Sequence, residues 1–413
     1  MSRCIFRRDN CRLCGGHNLE LVFQLAPTPI ADDYVSEDSA DEIQETYPLD
    51  LFFCHECGHL QLLDVVDSKI LFSNYIYVSR SSLGLVEHFR KYADEMMLRL
   101  NPSKGALVVD IGSNDGTLLR FFQEQGMRVL GVDPARDIAR QATESGIETL
   151  PTFFTVELAR KIKNERGTAA IITANNVFAH VDDLADIAEG IRDLLAPDGV
   201  FVFEVSYLVD LIQNMVFDFI YHEHLCYHSV KPLEAFFPRH GMELIDAERI
   251  PTKGGSLRGF AQLADGPRAA SQSIAELIAL ETKLGLDHAE VFKTFAAKID
   301  TVKNQLFSLL RDLKAQGKTI AGYGASATVT TLIYHFELRE FLSFIVDDNP
   351  ERQGLFSPGH HIPVFSPQVI YERKPDYVII LAWRFSEPIM KKHGEFLEQG
   401  GHFIVPLPEV NII

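Results

Sequence analysis

Four of the six cysteines stand in two pairs of equal spacing, Cys11 and Cys14 in CRLCGG, Cys54 and Cys57 in CHECGH. A CxxC pair can bring two thiolates onto one ion through a tight turn, and two such pairs complete a tetrahedral zinc site. The stretch between them, with PTPIADDY and YPLDLFFC, is short and rich in turn residues, so a metal staple is expected to supply stability that a small core cannot. A redox CxxC is the alternative, but that motif normally opens a helix in a thioredoxin-like unit, and no such pattern follows either pair. His17, His55 and His59 could replace a sulfur, although four sulfurs make this unnecessary. Cys4 and Cys226 remain, and a lone cysteine usually behaves as a small buried hydrophobe.

The rest of the 413-residue chain has room for two or three domains at roughly 150 residues each. With 39 Lys and Arg against 57 Asp and Glu, the net charge of −18 argues against a nucleic-acid binder, which needs a basic face. No apolar run reaches the ~18 residues of a membrane span. The N-terminus, MSRCIFRRDNCRLCGG, carries no apolar secretory core, so the cytoplasm is the expected location. After residue 70, short β-branched runs (ALVVDIG, RVLGVDP, AAIITANN, GVFVFEV) alternate with helical stretches, the rhythm of βαβ units on a parallel sheet. MELIDAERIP and SLRGFAQLAD have no long helix between them and predict an antiparallel hairpin at the sheet edge. Residues 269–317 read as a helical connector, after which TIAGYGASA, FLSFIVDD, DYVIILAW and HFIVPLP restart the α/β pattern. The expectation is an α/β protein of three parts: residues 1–70 for zinc, 71–268 for a Rossmann-like domain, and 269–413 for the connector and a smaller Rossmann-like domain.

VVDIGSNDGTLLRFF, residues 108–122, is the strongest local signal. A strand ends in Asp110, Gly112 and Gly116 flank a turn that includes Asn114 and Asp115, and a helix follows. Backbone can therefore approach a ligand closely at the carboxyl edge of a parallel sheet. The run is not GxGxxG and lacks the glycine trio that seats a pyrophosphate. The next strand ends in Asp133, whose carboxylate can accept both hydroxyls of a ribose. Together these residues match the S-adenosylmethionine site of class I methyltransferases: a carboxylate at the first strand end suits a cationic ligand and would repel a diphosphate. A dinucleotide site with an unusual loop is the alternative. In TANNVFAHVDDL, Asn175, Asn176 and His180 fall at the same sheet edge.

The densest polar cluster is FDFIYHEHLCYHS, holding Tyr221, His222, Glu223, His224, Tyr227 and His228. General acid–base chemistry suits such crowding, because a carboxylate can tune an imidazole and a tyrosine can donate to a developing oxyanion. A metal site on His224 and His228, or a merely buried polar network, are the alternatives. Upstream, YIYVSRSS places Tyr75 and Tyr77 on one face if extended.

These segments, together with CHECGHLQL, FEVSYL, AGYGASA, VDDNPERQG, PGHHIPV and VIILAWRF, resemble end to end the three-domain sugar C-methyltransferases of deoxysugar biosynthesis. The resemblance implies methyl transfer from S-adenosylmethionine to carbon 3 of a nucleotide-linked 4-keto-deoxyhexose. It implies a structural zinc module that helps cover the active site, a cofactor domain, and a C-terminal domain gripping a dTDP or GDP group. It further implies His224 as the base, supported by Tyr221 and Glu223, with His180 and one early tyrosine, Tyr75 in preference to Tyr77, lining the sugar pocket. Gly322, Tyr323 and Gly324 of GYGAS would approach the nucleotide. One departure stands out: many relatives carry Lys soon after GYGA, where this chain has Thr328. No nucleic-acid or membrane partner is expected, and the protein should be a monomer or small homo-oligomer. The rivals are O-methylation of a sugar hydroxyl, methylation at carbon 5, and a nicotinamide-dependent oxidoreductase or epimerase.

Overall fold

The computed structural model describes residues 5–72, 78–81 and 84–413. The chain folds into two compact units, both discontinuous in sequence. The first comprises Met1–Glu20, Phe53–Val209 and Leu225–His288; the second comprises Leu21–Phe52, Asp210–His224 and Ala289–Ile413.

A seven-stranded sheet organises the first unit, in the order Met242–Ile250, Ser256–Leu263, Leu195–Ser206, Ala169–Asn175, Leu107–Ile111, Arg128–Val132, Thr149–Leu150. The last five run parallel, and the first two form the expected antiparallel hairpin at the edge. Val108, Val109, Ile171, Ile172, Val200 and Phe201 are fully buried, which is why these strands read as unbroken apolar runs: both sheet faces are covered. The helix Leu85–Leu100 covers one face with Leu85, Phe89, Tyr92, Ala93 and Met96, at helical spacing, packed against Leu118, Leu119 and Phe122 of the helix Thr117–Glu124. Strand order reverses between Leu107–Ile111 and Ala169–Asn175, and open α/β sheets bind ligands outside the carboxyl ends of strands at such a switch point.

Both cysteine pairs belong to this unit. Beside them, Ile5–Arg7 pairs antiparallel with Asp64–Val66, and Leu60–Leu62 pairs antiparallel with Cys226–Tyr227.

The second unit is a six-stranded sheet in the order Val364–Phe365, Ile345–Val346, Ile320–Tyr323, Tyr377–Ile380, His402–Val405, Asn411–Ile412, parallel except for the final strand. The helix Ala289–Ala315, foreseen as a connector, buries Phe292, Phe295, Ile299, Val302, Leu306, Leu310 and Leu313 along one stripe. Residues 21–52, which separate the cysteine pairs in sequence, belong to this unit because their apolar side chains have partners there. Phe23 meets Phe295 edge-on at 5.9 Å and His335 at 5.6 Å. Among the described residues, no helix is long and apolar enough to cross a membrane.

Candidate functional site

The metal centre is built from two similar turns. In the first, Gly15 N–H donates to the Cys11 carbonyl and Gly16 N–H donates to Cys14 Sγ at 3.3 Å; in the second, Gly58 N–H donates to the Cys54 carbonyl. The four sulfurs lie within 4.8 Å of one another, with Cys11–Cys57 at 3.6 Å and Cys14–Cys54 at 3.5 Å. A tetrahedral ion with sulfur bonds of ~2.3 Å needs sulfur separations of roughly 3.8 Å, so the set is already shaped for zinc. The Cys54 sulfur and burial push the Cys11 thiol up to about 12, because four thiolates this close need a cation to hold their charge. The alternative ligands point elsewhere. His17 Nδ1 bonds the Asp9 carbonyl, His55 pairs with Glu20, and His59 is buried against His228 with ring centroids 5.5 Å apart. Cys226 is buried, and burial pushes its thiol up to about 12, as befits a small hydrophobe.

The second site sits at the sheet's switch point. Asp110 ends its strand, buried, with Oδ1 accepting from Thr173 Oγ1 at 2.6 Å; burial, with help from Asp133, pushes its carboxyl up to about 7. Gly112 follows at φ +71°, and a Cβ there would lie 2.2 Å from Val177 Cγ2, so both backbone angle and space demand glycine. Asn114 carries the turn forward: its N–H donates to Asp133 Oδ2 at 2.8 Å, and its Oδ1 accepts from Ser79 N–H at 2.8 Å. Asp133 Oδ1 accepts from Ala135 N–H, which fixes the carboxylate, while burial raises its proton affinity. Asp115 Oδ1 accepts from Thr117 N–H and Oγ1 at the start of the helix Thr117–Glu124, and its other oxygen accepts from Arg80 N–H.

Asn175 ends the strand across the switch point with its amide against the buried Tyr92 hydroxyl; Ser113 Oγ is buried with no hydrogen-bond partner. Unpaired buried polar groups are costly. The Ser113 hydroxyl beside the buried carboxylates of Asp110 and Asp133 fits a cationic, hydroxyl-bearing ligand such as S-adenosylmethionine. His180 follows on the turn beyond Asn175, its ring stacked on Phe72 at 5.7 Å. Tyr75 and Tyr77 lie outside the described residues. Sequence reasoning missed the support behind Asn175. Glu204, opposite it in register, is buried with Arg258 Nε at 2.7 Å and His88 Nε2 at 2.8 Å. Burial opposes its charge, yet His88 and Arg258 hold the carboxyl below its usual range. The signal was available: a glutamate inside the apolar run GVFVFEV must be paired.

In the second unit, the segment 217–224 is held from several sides. Asp218, 1% exposed, accepts from Trp383 Nε1 and from Arg384, each at 3.0 Å, and the Ile220 carbonyl accepts from Thr331 Oγ1 at 2.8 Å. His224 Nδ1 lies 2.7 Å from the Phe219 carbonyl. A carbonyl can only accept, so Nδ1 carries a proton, and in the neutral form of the ring the lone pair is on Nε2. The Tyr221 ring packs 4.1 Å from the imidazole, and Glu223 is buried next to it in sequence. His222 turns to the Tyr47 carbonyl, and burial lowers it to about 4. His228 belongs to the first unit, with Nε2 on the Phe178 carbonyl. Among the described residues, only the four cysteines gather as metal ligands.

The GYGAS loop follows the strand Ile320–Tyr323. A Cβ at Gly322 would lie 2.6 Å from Leu381, and one at Gly324 would lie 2.7 Å from Ala382, so packing against the neighbouring strand end accounts for both glycines. The Tyr323 hydroxyl donates to Asp348 Oδ2 at 3.0 Å with His393 Nε2 also at 3.0 Å. Thr328 is buried in the first turn of Ala327–His335, its hydroxyl 3.0 Å from Ser326 Oγ.

A putative zinc-binding domain matches residues 11–72, a methyltransferase domain matches 86–247, and a C-methyltransferase C-terminal domain matches 251–408. The C-methyltransferase NovU of Streptomyces niveus is 36% identical over 410 residues, spanning 98% of this chain and 97% of that protein. A ubiquinone biosynthesis O-methyltransferase of Actinobacillus pleuropneumoniae serotype 7 (strain AP76) is 30% identical over 118 residues, 27% of this chain and 50% of the relative. The PH0226 protein of Pyrococcus horikoshii OT3 superimposes loosely, with a TM-score of 0.38 and 16% identity over 48% of this chain and 98% of its own. The chain therefore belongs to the S-adenosylmethionine-dependent C-methyltransferases that carry an N-terminal zinc-binding domain.

Proposed function

We propose that this enzyme methylates carbon 3 of a nucleotide-linked 4-keto-deoxyhexose, with His224 as the base. The observation that carries the proposal is the Nδ1 contact of His224: the Phe219 carbonyl can only accept from Nδ1–H, so in the neutral ring Nε2 is the basic nitrogen, in an imidazole that Tyr221 packs in place. A carbon beside a ketone is acidified but still needs a base, and a positioned one contributes typically 10²–10⁴-fold. Bound S-adenosylmethionine supplies an electrophilic methyl on a sulfonium. In this reading Asp110, Gly112, Asn114, Asp115, Gly116, Asp133 and Asn175 hold it, with Asp110 serving its positive charge and Asp133 its ribose. His224 Nε2 takes the proton alpha to the ketone, and the C–H electron pair becomes available to form the new carbon–carbon bond. Tyr221 donates to the charge that develops on the ketone oxygen. Glu223 supports the imidazole, and His180, Tyr75 and Tyr77 line the sugar. Gly322, Tyr323 and Gly324 belong to the nucleotide end.

The proposal keeps the division into residues 1–70 for zinc, 71–268 for the methyl donor and 269–413 for the nucleotide, and it places the reaction in the cytoplasm. It is supported by end-to-end similarity to a C-methyltransferase. The test is incubation with S-adenosylmethionine and a panel of dTDP- and GDP-linked 4-keto sugars, followed by product NMR. A new C–CH₃ signal at carbon 3 is expected, and its loss in His224→Asn with cofactor binding retained. A methyl ether, or a product methylated at carbon 5, would overturn the assignment.

A further inference from the structure

The zinc-bearing segment does more than close on itself. Arg12 lies inside the first metal turn, between Cys11 and Cys14, yet its guanidinium points away from the sulfurs and is buried. Arg12 Nε donates to Asp182 Oδ1 at 3.1 Å, and its NH2 pairs with the same oxygen at 3.0 Å. Its NH1 donates to Gln61 Oε1 at 3.0 Å and to the Leu62 carbonyl. Arg8 takes the other side of Asp182, with NH1 at 3.1 Å from both Oδ2 and the Asp182 carbonyl. One carboxylate is thus gripped by two arginines that flank and enter a metal turn.

Asp182 stands two residues beyond His180, on a turn that follows the strand Ala169–Asn175. The same turn is held at two more points. Cys226 N–H donates to the Ala179 carbonyl at 3.0 Å, and His228 Nε2 lies 3.3 Å from the Phe178 carbonyl. Cys226 and Tyr227 in turn pair with Gln61 and Leu60, the strand that follows Cys57 by three residues. The turn carrying His180 is therefore fixed at residues 178, 179 and 182 by the zinc-bearing segment and the strand paired with it.

Burying an arginine–carboxylate pair is costly, and such a pair is weak evidence for a stability role. Its geometric value is clearer: one guanidinium joins Asp182 through Nε to Gln61 and the Leu62 carbonyl through NH1, which fixes direction as well as distance. We infer that Arg12, with Arg8, is a positioning residue that holds Asp182, and through it His180, in the geometry that methyl transfer requires. Zinc thereby acts on catalysis indirectly, by fixing the backbone on either side of Arg12. The inference rests on the proposed place of His180 in the substrate site.

The test compares zinc-loaded full-length wild type with Asp182→Ala, Arg12→Ala and Arg12→Lys, and with Arg7→Ala as control. Arg7 lies in the same segment and pairs with Asp64 rather than Asp182. Zinc content, S-adenosylmethionine affinity, amide hydrogen exchange of residues 178–182, and kcat and KM on a 4-keto nucleotide sugar are measured for each. For Asp182→Ala and Arg12→Ala, zinc content should stay at wild type and cofactor affinity within about twofold. Exchange across 178–182 should quicken, and kcat should fall by about 10- to 100-fold, the scale of a misplaced reacting group. Arg12→Lys should recover part of kcat, and Arg7→Ala should match wild type. Unchanged kcat in Asp182→Ala while His180→Ala is inactive would overturn the clamp. Unchanged kcat in both would instead remove His180 from the site, and the inference with it. Should Arg12→Ala fail to fold, Asp182→Ala, on a partly exposed turn, decides alone.

Discussion

Asp110 offers a prediction that can be worked from its surroundings. Its carboxyl is buried, has one hydroxyl donor, Thr173, and is pushed up to about 7. If the ionised form receives the cationic methyl donor, binding must draw Asp110 out of its protonated state. About a tenth of the sites are ionised at pH 6 and about nine-tenths at pH 8, so affinity should rise about tenfold over that range, near 1.4 kcal/mol. The sign for stability is opposite. A carboxyl raised above its unfolded value favours the fold at low pH, so the ligand-free protein loses that contribution as pH climbs from about 4 through about 7. Ligand binding should restore it, giving a larger thermal shift at pH 8 than at pH 6. Asp110→Asn keeps the shape and the Thr173 contact but removes the charge. It should bind with about 10- to 100-fold lower affinity at pH 8, the scale of a charge-assisted contact, and its affinity should be flat with pH. Calorimetric titration with S-adenosylmethionine at pH 6, 7 and 8 reads both. An Asp110→Asn variant that bound with wild-type affinity and kept the pH slope would refute the reasoning.

Cys54→Ser should lose zinc and fold poorly, because three sulfurs leave the ion without its fourth ligand; metal analysis and circular dichroism check this. Gly112→Ala, strained at φ +71° and driven into Val177, should abolish cofactor binding in calorimetry while far-ultraviolet dichroism stays near wild type. Arg384→Ala strips the buried Asp218 of its ion pair and should destabilise the protein by about 2–5 kcal/mol in urea unfolding, with a smaller loss for Trp383→Phe.

Local features were legible in the sequence because the physics behind them is local. The two CxxCG turns, the D-x-G-x-x-x-G turn and the antiparallel hairpin each declare themselves within a few residues. Contacts between distant segments left no such trace. DYVIILAWRF read as a strand run and as one segment of the family resemblance; that Trp383 and Arg384 hold Asp218, 165 and 166 residues away, emerges from the fold. Arg12 stands between two metal ligands, and nothing near it in sequence names Asp182 as its partner. Residues 21–52 joined the second unit through Phe23 and its aromatic neighbours, a choice decided by tertiary packing. His222 and His224 look alike in YHEH, yet one turns to the Tyr47 carbonyl and the other to Phe219, and that difference separates a structural imidazole from a candidate base.

The central claim is that His224 removes a proton next to a ketone. It is tested most directly by following the carbon-3 proton of a 4-keto nucleotide sugar by NMR in D₂O, with S-adenosylhomocysteine bound so that methylation is blocked. The wild-type enzyme should wash deuterium into that position, and His224→Asn, still binding S-adenosylhomocysteine, should not. Equal exchange by the two proteins would contradict the account.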